Sequence, residues 1–200
     1  MKIVLATNNP NKVREVKEIL SDFNIEVLTL NDLGIDIEII EDQETFEGNA
    51  RKKAHKIYEL TKLPTIADDS GLMVEALGGA PGVYSSRFAG EEHNYEKNNQ
   101  KLLQELKDKP KPHRAKFVCV INYKTDNDDE IFVGEVNGEI IEEPRGKNGF
   151  GYDPLFKPDG FDLTYAELPS EIKNKISHRY KALVKFRDYL SNKFFGKEIH

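Results

Sequence analysis

The sequence predicts an α/β protein. Short β-branched and apolar runs at residues 2–6, 25–30, 64–67 and 114–123 alternate with longer stretches whose apolar residues recur every three or four positions. Turns rich in Asn, Pro, Gly and Asp separate them. A chain of 200 residues is long enough for one large domain or two small lobes with a packed core.

Residues 2–6 read as a buried first strand. Thr7, Asn8, Asn9, Pro10, Asn11 and Lys12 then lead into a helix over about 12–20, with Val13, Val16, Ile19 and Leu20 on one face. A strand–turn–helix connection presents backbone N–H groups at the helix start, where anions bind, and Lys12 adds positive charge there. The glycines of a Walker A loop or a GxGxxG fingerprint are missing, so the stretch alone is an ordinary Asn/Pro turn. Residues 25–30 form a second strand. The acidic, β-branched stretch 35–42 ends in Glu41 and Asp42, which suit a solvated loop or a metal. Over 45–61, Phe46, Ala50, Ala54 and Ile57 make a helical stripe. Asn49 and Lys53 project from one face of it, as a phosphate contact or as solvated side chains.

The run 64–67 leads into Asp68 and Asp69 and then a Ser70-Gly71 turn, which places two acids where a strand ends. Adjacent strand residues face opposite ways, so one Asp faces a site while the other braces the loop. Capping of the following turn is the simpler alternative. Residues 72–77 are a strand or sheet edge, 78–82 break the chain, and 83–90 are irregular. A helix over 94–106 turns Leu102, Leu103 and Leu106 inward. Residues 114–123 and 130–136 form a hairpin, with a third pass expected after an Asn137-Gly138 turn. In the Gly-rich stretch 144–153, Phe150 stands between two glycines, where a ring can stack on a planar base or plug the loop. Residues 170–175 start a helical region. A terminal helix follows to about 194, with Ala182, Leu183, Phe186, Leu190 and Phe194 inward. Lys173, His178 and Arg179 make an electropositive cluster near that boundary.

Composition narrows the function. A net charge of −6 argues against sequence-independent nucleic-acid binding, yet a local Lys/Arg cluster can still hold a small anion. The single Cys119, in a predicted strand, permits no internal disulfide and suits a reducing compartment as a buried apolar residue. No run reaches membrane-spanning length and no export signal is evident, so the cytoplasm is expected, with neither membrane nor nucleic acid as partner.

Taken in order, several motifs resemble the inosine triphosphate pyrophosphatase family. They are Thr7 to Lys12, Thr45 to Ala50 with Lys53 and Ala54, Ile66 to Gly71, Leu77 to Ser85 with Arg87, Gly149 to Pro154, Ala166 to Leu168, and Lys173 to Arg179. Each is weak alone; the ordered set covers nearly the whole chain. Two positions depart: Asn8 replaces a usual Gly, and Gly48 an often acidic residue. Asn tolerates a left-handed turn, so the loop should survive.

The resemblance implies a long, mixed, twisted central sheet flanked by helices, forming a single catalytic domain (1–200) of two lobes around a cleft. It implies hydrolysis of ITP, dITP and XTP to the monophosphate and pyrophosphate, by a homodimer using Mg²⁺. Asp69 would be the general base, with Glu41, Asp69 and, as a helper, Asp68 at the metal. Thr7, Asn8, Asn9, Pro10, Asn11, Lys12, Lys53 and Ser70 would hold the triphosphate and sugar. Phe150, Gly151, Tyr152, Asp153, Lys173, His178 and Arg179 would read a purine with oxygen at C6. A pyrophosphatase for other modified nucleotides is the rival enzyme, and a nucleotide sensor without turnover the rival class.

Overall fold

The structure is a computed structural model that describes residues 1–195; the tail from Gly196 to His200, which has no predicted role, lies outside the described residues. Six strands form one sheet: β1 (Lys2–Leu5), β2 (Glu26–Thr29), β3 (Thr65–Val74), β4 (His113–Lys124), β5 (Asp129–Ile140) and β6 (Phe156–Pro158), in the order β2-β1-β3-β4-β5-β6. The sheet is mixed: β1 pairs parallel with β2 and β3, and β5 pairs antiparallel with β6. The helices are α1 (Pro10–Leu20), α2 (Phe46–Thr61), α3 (Tyr95–Leu106), α4 (Ser170–Ile176) and α5 (His178–Phe195).

Local chemistry sets the helix starts. Asn9 caps α1, Thr45 caps α2 and Asn94 caps α3, each accepting from backbone N–H groups of the first turn. Gly48 does not disturb α2: its N–H donates to Thr45 Oγ1 at 3.0 Å.

The chain divides into two compact units. Among the described residues, the first comprises 1–69, 119–134 and 179–195, and the second 70–118 and 135–178. In the first, Leu5, Ile66, Cys119 and Ile121 pack with Val16 and Ile19 of α1 and with Leu183 and Phe186 of α5. A separate cluster there joins Val4, Ala6 and Ala67 to Ala54 and Ile57 of α2. In the second, Leu72, Phe117, Val136, Phe156 and Tyr165 pack with Leu102 and Leu106 of α3.

Three local expectations are corrected. β3 does not stop before Asp68; it runs through Asp68-Asp69-Ser70-Gly71 to Val74. Mid-strand acids are tolerated because each is bonded, Asp68 to two cations and Asp69 to a carboxamide. Likewise β5 continues through Asn137 and Gly138 without turning. Gly138 pairs with Pro158, and a Cβ there would lie 2.3 Å from the Lys157 carbonyl oxygen, so this glycine marks a close backbone approach. Finally, Phe194 is exposed, whereas Ala182, Leu183, Phe186 and Leu190 are buried as predicted.

Candidate active site

In the first unit, strand alternation along β3 separates the two acids. Ile66 faces the cluster shared by α1 and α5, whereas Ala67 faces α2. Asp68 and Asp69 follow the same alternation: Asp68 meets Lys12 and Arg179, and Asp69 meets Asn49.

Asp68 is a buried carboxylate paired with two cations. Its Oδ2 lies 3.3 Å from Lys12 Nζ and 3.2 Å from Arg179 Nη2, and Arg179 Nη1 also pairs with the buried Glu15. Burial pushes the Asp68 carboxyl up, but Lys12, Arg179 and Lys53 outweigh it and hold the group well below the usual carboxylate range. In return, burial pulls Lys12 and Arg179 down, and the neighbouring carboxylates overcome that and raise both. Cys119 Sγ sits 3.9 Å from the same Asp68 oxygen, and burial pushes its thiol up to about 12, which makes it packing rather than a nucleophile.

Asp69 has the opposite environment. It is 3 % exposed, and its Oδ2 accepts a 3.0 Å hydrogen bond from neutral Asn49 Nδ2. Burial, with repulsion from Glu41, pushes its carboxyl up to about 6 against the pull of Lys53 and Lys12. Lys53 Nζ donates to Glu41 Oε1 at 2.5 Å and to the Asp68 carbonyl oxygen at 2.6 Å. Burial raises Glu41, but Lys53 and Lys12 more than offset it and lower the group.

The loop from Thr7 to Lys12 is organised by its own side chains. Thr7 Oγ1 accepts from Asn9 N–H at 3.1 Å, and Asn9 Oδ1 accepts from the N–H groups of Asn11 and Lys12 at 2.9 and 3.4 Å. Asn8 Nδ2 donates to the Ile37 carbonyl at 2.9 Å, and Pro10 has no N–H. The first-turn N–H groups of Asn11 and Lys12, expected to face an anion, are thus taken by the Asn9 cap, and Lys12 Nζ is the charge this loop delivers. The Asn49 carboxamide is bonded to Asp69 and to the Gln43 backbone.

Among the described residues, no group of three or more His, Cys, Asp or Glu side chains is placed to hold a metal ion. Asp68 is spent on cations. Glu41, bonded to Lys53, and Asp69, bonded to Asn49, are two mutually repelling carboxylates, a donor chemistry that suits a hard cation such as Mg²⁺.

The second unit holds a different arrangement. Asp153 Oδ2 accepts from Lys173 Nζ at 2.6 Å and from Phe150 N–H at 3.1 Å. Gly149 has φ +70°, and a Cβ there would lie 2.0 Å from that carboxylate oxygen, so only glycine lets the turn close on Asp153. Asn99 Nδ2 donates to the Gly151 carbonyl at 3.1 Å, and Tyr152 Oη to the Ser85 carbonyl at 2.7 Å. Lys173 Nζ lies 5.2 Å from the centre of the half-buried Phe150 ring and 5.4 Å from that of Tyr165. His178 is buried, with its ring stacked 4.7 Å from Phe117 at 9°.

Of the residues predicted to read a base, Phe150, Gly151, Tyr152, Asp153, Lys173 and His178 fall in this unit. Arg179 belongs to the first, paired with Glu15 and Asp68. Ser70 is half-buried, one residue beyond the base candidate. Sequence reasoning missed Glu15 and Asn99. Glu15 stands one helical turn before inward-facing Ile19, and a charged residue on an apolar face is the signal that would have found it.

The sequence profile of the Ham1 family matches residues 3–189. A protein named dITP/XTP pyrophosphatase from Clostridium perfringens is 51% identical over 94% of this chain and 97% of its own length. One of the same name from Clostridium tetani is 48% identical over 95% and 96%. Among solved structures, the Ham1 protein of Staphylococcus aureus superposes with a TM-score of 0.86 at 41% identity, covering 96% of this chain and all of the other.

Proposed function

The chain belongs to the Ham1 family, and on that premise we propose that it is a nucleoside triphosphate pyrophosphatase acting on the deaminated purine nucleotides ITP, dITP and XTP. Water attacks the α-phosphorus, its proton passes to Asp69, and the bond to the α–β bridging oxygen breaks. The products are the monophosphate and pyrophosphate.

The observation that carries this reading is the unequal treatment of two adjacent acids. Asp68 is locked as an anion by Lys12 and Arg179, while Asp69 is buried, touched by a neutral donor and more basic than an ordinary carboxylate. A base that stays ionised near neutral pH yet binds a proton more tightly than usual fits general-base work. Lys12 and Lys53 supply positive charge for the triphosphate. Mg²⁺ would be held by Glu41 and Asp69 and would neutralise developing phosphate charge. Arg179 and Asp68, in this reading, set the position of Lys12. Base reading is assigned to the Phe150 ring for stacking and to the donors Lys173 and His178 for an oxygen at C6. A buried site built of donors rejects the adenine amino group. Guanine shares that oxygen, so its rejection requires a feature that excludes the 2-amino group.

The homodimer rests on the family resemblance, and a cytoplasmic setting on the buried free thiol of Cys119. The test is pyrophosphate release from ITP, XTP, GTP and ATP, with Mg²⁺ and with chelator. Fast metal-dependent release from ITP and XTP alone is expected. Equal rates on ITP and ATP refute the base reading, and binding without release would favour a sensor.

A further inference from the structure

We infer that Asn49 is the positioning residue for Asp69, orienting its carboxylate and tying it to the segment that carries Glu41. This rests on the reading of Asp69 as the base. Asn49 lies on α2 with no exposed surface. Its carboxamide is oriented from both ends: Oδ1 accepts from Gln43 N–H at 3.0 Å, while Nδ2 donates to Asp69 Oδ2 at 3.0 Å and leans on the Gln43 carbonyl at 3.4 Å. The Gln43 N–H demands an acceptor, so the amide cannot flip without facing an oxygen toward Asp69. One side chain thus joins β3, α2 and the backbone two residues after Glu41.

The chemistry of the donor matters as much as its place. Lysine or arginine in this position would hold Asp69 in an ion pair, as Asp68 is held by Lys12 and Arg179. A neutral amide fixes one carboxylate oxygen by a hydrogen bond without placing another cation against it. Asn49 touches no reacting atom, so its effect passes through Asp69.

The experiment compares Asn49→Ala and Asn49→Leu with the parent, each in the Asp69 and the Asp69→Asn background. Rates are expressed per folded molecule, with folding measured by thermal melting. Loss of a supporting hydrogen bond is expected to lower kcat about 10- to 100-fold with KM nearly unchanged. In the Asp69→Asn background the same changes are expected to cost nothing further, because the group they act through is gone. Three results overturn the inference: an unchanged kcat, a loss that vanishes once folded fraction is counted, or full losses that multiply in the double variant. Near-normal turnover of Asp69→Asn alone would instead sink the base reading. The two failures are therefore distinguishable.

Discussion

The charged clusters of the two units solve different problems. In the first unit Lys12, Lys53 and Arg179 serve Glu15, Glu41, Asp68 and Asp69, so carboxylates outnumber cations and Asp69 goes short. In the second, Asp153 and Lys173 form a buried pair, with a backbone N–H on the carboxylate and aromatic rings beside the ammonium. An unbalanced cluster holds repulsion between its carboxylates, which a bound cation or proton would relieve. A balanced one is geometry: it holds a turn and a ring in place. In the proposed function, chemistry falls to the first kind and recognition of a flat base to the second.

The sharpest way to break that contrast is to neutralise each acid. Asp69→Asn is expected to lower kcat by about 10²- to 10⁴-fold, the usual worth of a general base, without loss of folded protein. Asp153→Asn should act chiefly through KM, because it loosens the Phe150 turn. Steady-state kinetics on ITP separate the two, and matching kcat losses would erase the distinction. Next in size is the cost of unbalancing the balanced pair. Lys173→Met leaves Asp153 buried without its cation and is expected to cost about 3–5 kcal/mol in denaturant unfolding. Adding Asp153→Asn should return part of it; a still lower stability in the double variant would mean that the pair is not the unit of stability.

The pH dependence of stability distinguishes the units again. Burial, with repulsion from Glu41, pushes the Asp69 carboxyl up to about 6 in the folded protein from its ordinary 3.8, so the folded state holds this proton more tightly. Its contribution is fully present below about pH 4 and is lost as pH rises through 6. In chelator, Asp69→Asn should therefore be more stable than the parent above pH 6, by up to about 3 kcal/mol, and lose that advantage near pH 4. Mg²⁺ should narrow the gap by stabilising the parent carboxylate. Melting curves across pH, with and without Mg²⁺, measure it; a gap independent of pH would show that Asp69 carries no excess charge cost.

How far the sequence reveals this arrangement depends on the range of the interactions. Helix starts at Thr45 and Asn94 and the inward face of α5 up to Leu190 are legible because caps and periodicity are local. The same locality ends the strand at Asp68 and Asp69 and misreads Ser70-Gly71 and Asn137-Gly138 as turns. What keeps these strands extended lies far along the chain: Lys12 and Arg179 for Asp68, Pro158 for Gly138. Motif order points to Asp69 as the base, but its difference from Asp68 comes from burial and from which cations reach each face, neither of which a sequence displays. Arg179 adjoins His178 in the chain, yet it serves Asp68 and Glu15 in the first unit while His178 stacks on Phe117 in the second.

The smallest expected effect concerns the helices that carry the two lysines. α2 carries Lys53 and Asn49 and starts on Thr45, whose Oγ1 accepts from Gly48 N–H at 3.0 Å. α4 carries Lys173 and starts after Pro169, with no side-chain cap. Thr45→Ala should cost about 1 kcal/mol, a melting shift of roughly 2–4 °C for a chain of this size. Thr45→Ser, which keeps the acceptor, should restore most of it. The exposed Ser170 at the start of α4 makes no such bond, so Ser170→Ala should stay within about 0.5 kcal/mol of the parent. The stripe of Ala50, Ala54 and Ile57 still anchors α2 after the cap is lost, so kcat should barely change. A large fall in kcat with Thr45→Ala would show that the cap, and not the buried stripe, sets the position of Lys53 and Asn49. The first turn of α2 would then belong to the catalytic geometry rather than to stability alone.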